Sequence, residues 1–466
     1  MDIRFGTDGW RGLMARDFTF DNVRRVAQAV ANHIKGQMPK PTPKPSAVVA
    51  YDRRFQSDAY ALEISRVLAS NGMRVTLCSE TLPTPALSLL TKKLKTFGIM
   101  VTASHNPAAY NGIKVRIDGK AAPDSVTGAI ESCLDRANPM RNGADKFLRK
   151  SFRKEYVDFL RGRANPSRFI GRLSKPVVVD YMYGASAGMM GELVKSGRLI
   201  EMRAAHDPLF GGIHPEPIEA NLGALKERVL KEKALIGIAL DGDGDRVGVI
   251  DDKGRYLTPC QVYPMLLEHL IAQRGIKGKI VQSVSLGYLS GRVAQAHGLP
   301  FEELPVGFKH VGEALASGQA VIGAEESGGY AWKGNPPERD GLLTGLLLLE
   351  MCALSRKTPS ELWAAVEAKY GKSCFRRVDF RLHRAAVDKA VFTAKVAKRL
   401  PKKLAGSAVK SMTDIDGVKV VLDGGHWLLL RPSGTEPVIR TYAETDSAKR
   451  TQELLDAGAK WVHAQL

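Results

Sequence analysis

Three times along the chain an apolar strand, a helical stretch, a second strand, a second helical stretch and a third strand follow one another. The first pass places strands at 47–51, 73–77 and 97–101, the second at 176–180, 199–202 and 235–240, the third at 279–283, 300–304 and 320–323. Strands that alternate with helical patterns pair in parallel through right-handed crossovers, so each pass reads as a βαβ sheet. The repeat rests on order and spacing, without sequence identity. From about residue 372 the plan changes. Residues 375–382 alternate as a strand, 385–400 have helical spacing, 418–430 read as a hairpin turning at Gly424-Gly425, and a last helix starts near Ser447. The expected fold class is α/β: three related mixed α/β domains plus a smaller α+β C-terminal domain. With 466 residues the chain exceeds a single core, which rarely grows beyond about 250–300 residues. The expected domains are 1–150, 151–255, 256–371 and 372–466, with the proline- and lysine-rich segment 36–44 as a surface loop.

Each third strand runs into a polar motif, and ligands of open α/β sheets bind beyond the carboxyl ends of strands. The first motif is Thr102-Ala103-Ser104-His105-Asn106-Pro107. Pro107 biases Asn106 away from helix, so Ser104 and His105 are expected on an exposed, stiffened loop, with Ser104 placed to carry a phosphoryl group. An ordinary strand-end turn is the alternative. The second motif is Asp241-Gly242-Asp243-Gly244-Asp245-Arg246, whose three alternating carboxylates can converge on one hard cation. An EF-hand loop is excluded: its sixth position needs glycine and its twelfth glutamate, and here they are Arg246 and Asp252 between β-branched flanks. A solvated acidic turn is the remaining alternative, although three carboxylates at a buried edge repel one another without a cation. The third motif is Ala324-Glu325-Glu326-Ser327-Gly328-Gly329, in which Glu325 and Ser327 could hydrogen-bond sugar hydroxyls or simply form a polar turn. In the C-terminal segment, Arg431-Pro432-Ser433-Gly434-Thr435-Glu436-Pro437 and Arg440 offer hydroxyls, backbone N–H groups and two guanidinium forks to a phosphate. A hairpin turn with an incidental salt bridge is the plain reading of that loop.

Composition narrows the class. Five scattered cysteines without a C-x-x-C pair suit a reducing compartment. The opening Met1-Asp2-Ile3-Arg4 leads into glycines and charges, unlike a signal peptide, and the most apolar run, 342–349, is far short of a membrane span. The expected location is cytoplasmic, with no membrane partner. The net charge of +19 is spread along the chain without a nucleic-acid-binding module, so a basic enzyme that attracts phosphorylated metabolites is expected and a nucleic-acid partner is not.

Together with the opening Phe5-Gly6-Thr7-Asp8-Gly9-Trp10-Arg11-Gly12, these motifs closely resemble the α-D-phosphohexomutase family, over essentially the whole chain and in the right order. The resemblance implies a four-domain, heart-shaped architecture and reversible phosphoryl transfer between the 1- and 6-positions of a hexose. Ser104 then corresponds to the phosphoserine, and Asp241, Asp243 and Asp245 to the Mg2+ ligands, with a phosphate oxygen on Ser104 completing the site. Arg246 would contact the moving group, and Arg11, His105 and Lys114 match the residues that neutralise charge and shuttle protons. Lys309 and His310 match the loop that reads the sugar's orientation, and Glu325 and Ser327 the sugar-binding pair. Arg431, Ser433, Gly434, Thr435 and Arg440 match the clamp on the phosphate that is not reacting. The implied partners are small hexose phosphates, with glucose 1,6-bisphosphate as activator and intermediate, acting on a monomer or homodimer.

One departure bears on mechanism. Some relatives follow the Ser-Gly of the sugar loop with histidine, where this chain has Gly329, which leaves Lys114, His105 and His310 as candidate acids and bases. The Glu-Glu-Ser-Gly-Gly form leans toward phosphoglucomutase, with phosphomannomutase or dual specificity as the alternative. A serine hydrolase is disfavoured because Ser104 lacks a G-x-S-x-G elbow. A phosphatase would share the metal and the phosphoserine but has no need of the Arg431 loop, and a non-catalytic sugar-phosphate sensor stays open.

Overall fold

The computed structural model describes residues 3–36, 44–140, 146–382, 388–433 and 437–463. It divides into two compact units, Met1–Tyr256 with Gly328–Pro359, and Leu257–Ser327 with Ser360–Leu466. The surface loop expected at 36–44 falls almost wholly outside the described residues.

The threefold repeat is real at the level of topology. In the first unit, Ser46–Tyr51 pairs in parallel with Arg74–Cys78 on one side and with Phe97–Val101 on the other. Val177–Asp180 sits in the same way between Leu199–Met202 and Ile236–Leu240. In the second unit, Ile280–Ser283 lies between Phe301–Leu304 and Ile322–Glu325. Every one of these sheets thus has its first strand between its second and third, and the third carries the motif. The central strands are continuous apolar runs because helices cover both faces of such sheets. Phe97–Val101 and Ile236–Leu240 are buried at every residue.

The strand Phe97–Val101 then reverses into Tyr110–Ile117, and Trp10–Leu13 adds antiparallel to the latter with Arg11 opposite Gly112. Close approach requires the glycine there, since a Cβ on Gly112 would lie 2.6 Å from the carbonyl oxygens of Thr102 and Trp10. The opening motif is thereby laid against the Ser104 loop. The apolar run at 342–349 forms the buried interior of helix Gly341–Ser355, whose first turn is capped by the Asp340 carboxylate accepting from Leu343 N–H at 2.9 Å. Among the described residues no helix is long and apolar enough to cross a membrane.

The C-terminal part of the second unit is an antiparallel sheet ordered Cys374–Arg381, Val438–Thr445, Trp427–Pro432, Val418–Leu422, Ser407–Thr413 and Lys403–Leu404. Helices Lys389–Ala397 and Ala448–His463 cover one face, packing Val396, Leu454, Leu455 and Val462 against Leu428, Leu430 and Ile439. The expected hairpin turns at Gly424 and Gly425, both with φ of +79°. Its neighbour Ser407–Thr413 carries no apolar alternation strong enough to announce a strand.

Candidate active site

Ser104 sits just past Phe97–Val101 in left-handed backbone, with φ of +54°. This is a costly conformation for a residue with a Cβ, and strain of that kind persists only where the surroundings over-determine it. Here Arg54 does so. Its buried guanidinium donates to the carbonyls of Ser104 (2.7 Å), Asn106 (2.6 Å), Pro107 (2.8 Å) and Tyr110 (3.0 Å) and pairs with Asp52 at 3.2 Å. The Thr102 hydroxyl accepts from Ser104 N–H at 2.8 Å and donates to Asp52 at 2.6 Å. The loop is folded around a cation, and Ser104 is consequently 1% exposed, where Pro107 in the sequence predicts an exposed loop. His105 remains partly open.

The Ser104 hydroxyl points at the acidic loop. Its Oγ donates to Asp241 Oδ2 at 3.1 Å and lies 3.4 Å from His105 Nδ1. Asp241, Asp243 and Asp245 are fully buried, and carboxylate oxygens of all three lie within 4.8 Å of one another. Burial and the two neighbouring carboxylates push Asp241 well above the usual carboxylate range. Burial opposes ionisation of Asp243 too, but Lys114 outweighs it and holds that group low. One oxygen each of Asp243 and Asp245 is buried without a hydrogen-bond partner, an arrangement that suits a hard cation taking oxygen ligands.

Cations surround this cluster. Lys114 reaches Asp243 at 2.7 Å, Asp8 at 2.8 Å and Asp245 at 3.3 Å. Burial alone would lower its pKa, and the three carboxylates reverse the direction and raise it. Arg11 donates to Asn106 Oδ1 at 2.7 Å, and Arg246 reaches Glu216 at 3.4 Å. Burial, followed by the charges of Arg246 and Arg11, pushes His105 well below the ordinary imidazole value. The first unit therefore gathers Ser104, His105, Lys114, Arg11, Arg246 and the three aspartates within one site.

The second unit holds the remaining predicted residues. Gly307, with φ of +128°, precedes helix Phe308–Ala316 and places Lys309 and His310 in its first turn. The Gly307 N–H donates to Glu325 Oε1 at 2.9 Å, and Ser327 Oγ donates to Glu325 Oε2 at 3.3 Å. Arg431 and Arg440 face each other in register across Trp427–Pro432 and Val438–Thr445, and Ser433 N–H closes the loop on Val438 O at 2.9 Å. Gly434 and Thr435 lie outside the described residues.

Comparison with known proteins finds likeness along nearly the whole chain. Four phosphoglucomutase/phosphomannomutase models match in order: α/β/α domain I over residues 2–140, domain II over 154–254, domain III over 259–370 and the C-terminal domain over 359–460. The chain belongs to the α-D-phosphohexomutase family. Relatives of this phosphohexomutase include a phosphoglucomutase/phosphomannomutase of Thermococcus kodakarensis, 29% identical over 99% of both chains. A phosphoglucosamine mutase of Paenarthrobacter aurescens is 30% identical over 100% of this chain and 98% of its own. The crystal structure of a candidate phosphomannomutase from Thermus thermophilus superposes with a TM-score of 0.87 at 32% identity, covering 99% of each chain.

Within this phosphohexomutase the glycine at 329 has a structural reason. A Cβ there would lie 2.1 Å from Arg339 Cδ, so the space beside Gly329 belongs to Arg339. That side chain pairs with Asp245 at 2.7 Å and Asp8 at 3.0 Å. Arg116 pairs with Asp8 at 2.9 Å and Glu338 at 2.7 Å. Arg54, Arg116, Glu338, Arg339 and the side-chain role of Asp8 were not evident from sequence. Their only signal is position: Arg54 follows a first strand, and Glu338-Arg339 immediately precede the capping Asp340.

Proposed function

We propose that this phosphohexomutase moves a phosphoryl group between O1 and O6 of glucose phosphate, using Ser104 as carrier and glucose 1,6-bisphosphate as the intermediate. The observation that carries the reading is the Ser104 hydroxyl, 1% exposed and hydrogen-bonded at 3.1 Å to the buried acidic cluster. In the first half-reaction phosphorylated Ser104 gives its phosphoryl group to O6 of glucose 1-phosphate. The O6 proton leaves to a base, the Oγ–P bond breaks, and Oγ takes up a proton. In the second, Oγ gives up that proton and takes the phosphoryl group from O1 of the turned bisphosphate, the O1–P bond breaks, O1 gains a proton, and glucose 6-phosphate departs. Little covalent help is required of the protein, so positioning and charge stabilisation dominate.

Asp241, Asp243 and Asp245 would hold Mg2+, which supplies positive charge beside the phosphoryl oxygens when bound. Arg11, Arg246 and Lys114 neutralise the rest of a group that brings nearly two negative charges. Arg54 holds the Ser104 loop in its strained conformation. His105, whose Nδ1 lies 3.4 Å from Ser104 Oγ, is placed to pass a proton to or from that oxygen. In the second unit, Glu325, fixed by Gly307, and Ser327 would hydrogen-bond the sugar hydroxyls. Lys309 and His310 attend the sugar's orientation, and Arg431, Ser433 and Arg440 hold the idle phosphate.

Glucose is favoured by the Glu-Glu-Ser-Gly-Gly loop, with mannose phosphate as the alternative from the same residues. A 2-amino sugar is the second reading. Relatives named phosphoglucosamine mutase support it, as do the adjacent carboxylates Glu325 and Glu326, which could accept from an ammonium. The test supplies the 1-phosphates of glucose, mannose and glucosamine separately, each with Mg2+ and a trace of its 1,6-bisphosphate, and follows 6-phosphate formation. Fastest turnover of glucose phosphate is expected. Release of inorganic phosphate without isomerisation would make the protein a phosphatase and overturn the reading.

A further inference from the structure

Two cationic side chains and a backbone amide of the second unit converge on one buried carboxylate that none of the site motifs includes. Asp416, with a side chain 2% exposed, accepts at a single oxygen, Oδ2, from Arg431 Nε at 3.0 Å and from the Val306 N–H at 2.9 Å. Its other oxygen pairs with Lys389. Burial works against its charge, and Lys389 and Arg431 outweigh that and keep it ionised. The next amide along, Gly307 N–H, donates to Glu325 Oε1 at 2.9 Å. A continuous polar path therefore runs from Arg431 through Asp416 and the Val306-Gly307 peptide to Glu325 and on to Ser327.

The backbone at both ends of this path is committed to it. Gly417 has φ of +95°, and a Cβ there would lie 2.4 Å from Leu430 O and 3.0 Å from Arg431 Cα. Only glycine lets the turn bearing Asp416 lie so close over the strand that carries Arg431. Gly307, also at positive φ, turns its amide toward Glu325 and starts the helix bearing Lys309 and His310. Two glycines, the most permissive residue type, hold one rigid connection.

We propose that Asp416 is a positioning residue that couples the phosphate-holding Arg431 to the sugar-reading Glu325, so that capture of the idle phosphate and reading of the hexose occur as one event. The coupling rests on the phosphohexomutase reading of these two loops. Asp416 itself touches no substrate. An arginine drawn toward a phosphate changes its hold on Oδ2, and the shared oxygen passes that change to Val306 N–H and the following peptide. Low-dielectric surroundings strengthen such shared hydrogen bonds and make the loss of one member felt by the others.

The test is a double-mutant cycle between Arg431→Lys and Glu325→Gln, read as kcat/KM for glucose 1-phosphate, first with native Asp416 and then with Asp416→Asn. With Asp416 present, the double variant's loss should differ from the product of the single losses by about fivefold or more, within the range seen for connected sites. With Asp416→Asn the discrepancy should shrink to less than about twofold, a change a merely structural residue would not produce. Additive losses in the native background overturn the proposal. So does a discrepancy that persists unchanged in Asp416→Asn, because the coupling then runs through the sugar. A second measurement needs no variant at 416: inorganic phosphate added to the wild-type protein should slow amide hydrogen exchange across residues 306–308, and Arg431→Lys should abolish the effect. Unchanged exchange with phosphate bound also overturns the proposal. If the wild-type protein isomerises no hexose phosphate, the functional reading fails on its own assay, while exchange still reports whether the two loops are linked.

Discussion

At the residue scale the decisive geometry is the turn that aims Ser104. Ser104, at positive φ, is tied by its carbonyl to Arg54 and by Oγ to Asp241. Purified protein is expected to carry a phosphate on Ser104, found by intact mass and peptide mapping, and Ser104→Ala should lose nearly all mutase turnover. A fully active alanine variant would end the assignment. Asp243→Ala should lower magnesium affinity and activity together, since one of three oxygen ligands goes and Mg2+ tolerates little departure from octahedral geometry. An unchanged metal titration would reduce the acidic loop to a turn. Ser104 and the three aspartates were legible in the sequence because their signal is local: short spacing, glycine punctuation and a neighbouring apolar strand. Asp8, Arg116, Glu338 and Arg339 were not, because their charges meet only after residues far apart in the chain fold together. Arg339, like Lys114, joins Asp8 and Asp245.

At the element scale, the first and third strands of the repeats were readable because buried parallel strands are largely apolar along their length. Ser407–Thr413, half-exposed and polar, gave no such signal. The apolar run at 342–349 also hid a polar requirement: the helix it forms begins on a buried acid. Asp340 accepts from Leu343 N–H and from the Tyr156 hydroxyl, each at 2.9 Å, yet burial pushes its pKa up to about 7. In the unfolded chain the same carboxyl ionises near pH 4. Between those values the folded protein binds the proton more tightly, so this group's contribution to stability falls as pH rises from about 4 to 7 and is level above. Asp340→Asn keeps the acceptor oxygen and removes the titration. It should match the wild type near pH 4 and exceed it at pH 8 by up to about 4 kcal/mol, the equivalent of the displacement. Urea unfolding of both proteins at the two pH values measures this. Parallel pH profiles would show that Asp340 does not titrate in that range.

At the scale of the whole molecule, four matched domains in series account for the length, and the choice of hexose is the part that sequence leaves least legible. On the proposed reading it would depend on a few hydroxyl contacts around Glu325 and Ser327, and a change of sugar would need to alter only one or two side chains while the fold stays the same. The net charge of +19, in contrast, is a property of the entire chain and acts before any specific contact. A substrate bearing one or two phosphates is drawn toward a cationic molecule, and the attraction is screened as the Debye length falls from about 10 Å at 0.1 M salt to about 3 Å at 1 M. Raising potassium chloride across that range at fixed free Mg2+ should therefore lower kcat/KM several-fold, mainly through KM, because capture weakens while the buried charges around Ser104 are screened far less. Steady-state turnover of glucose 1-phosphate along a salt series measures both constants. If kcat falls in step with kcat/KM, salt is acting on the chemical step or on the metal, and the surplus of positive charge has no part in gathering substrate.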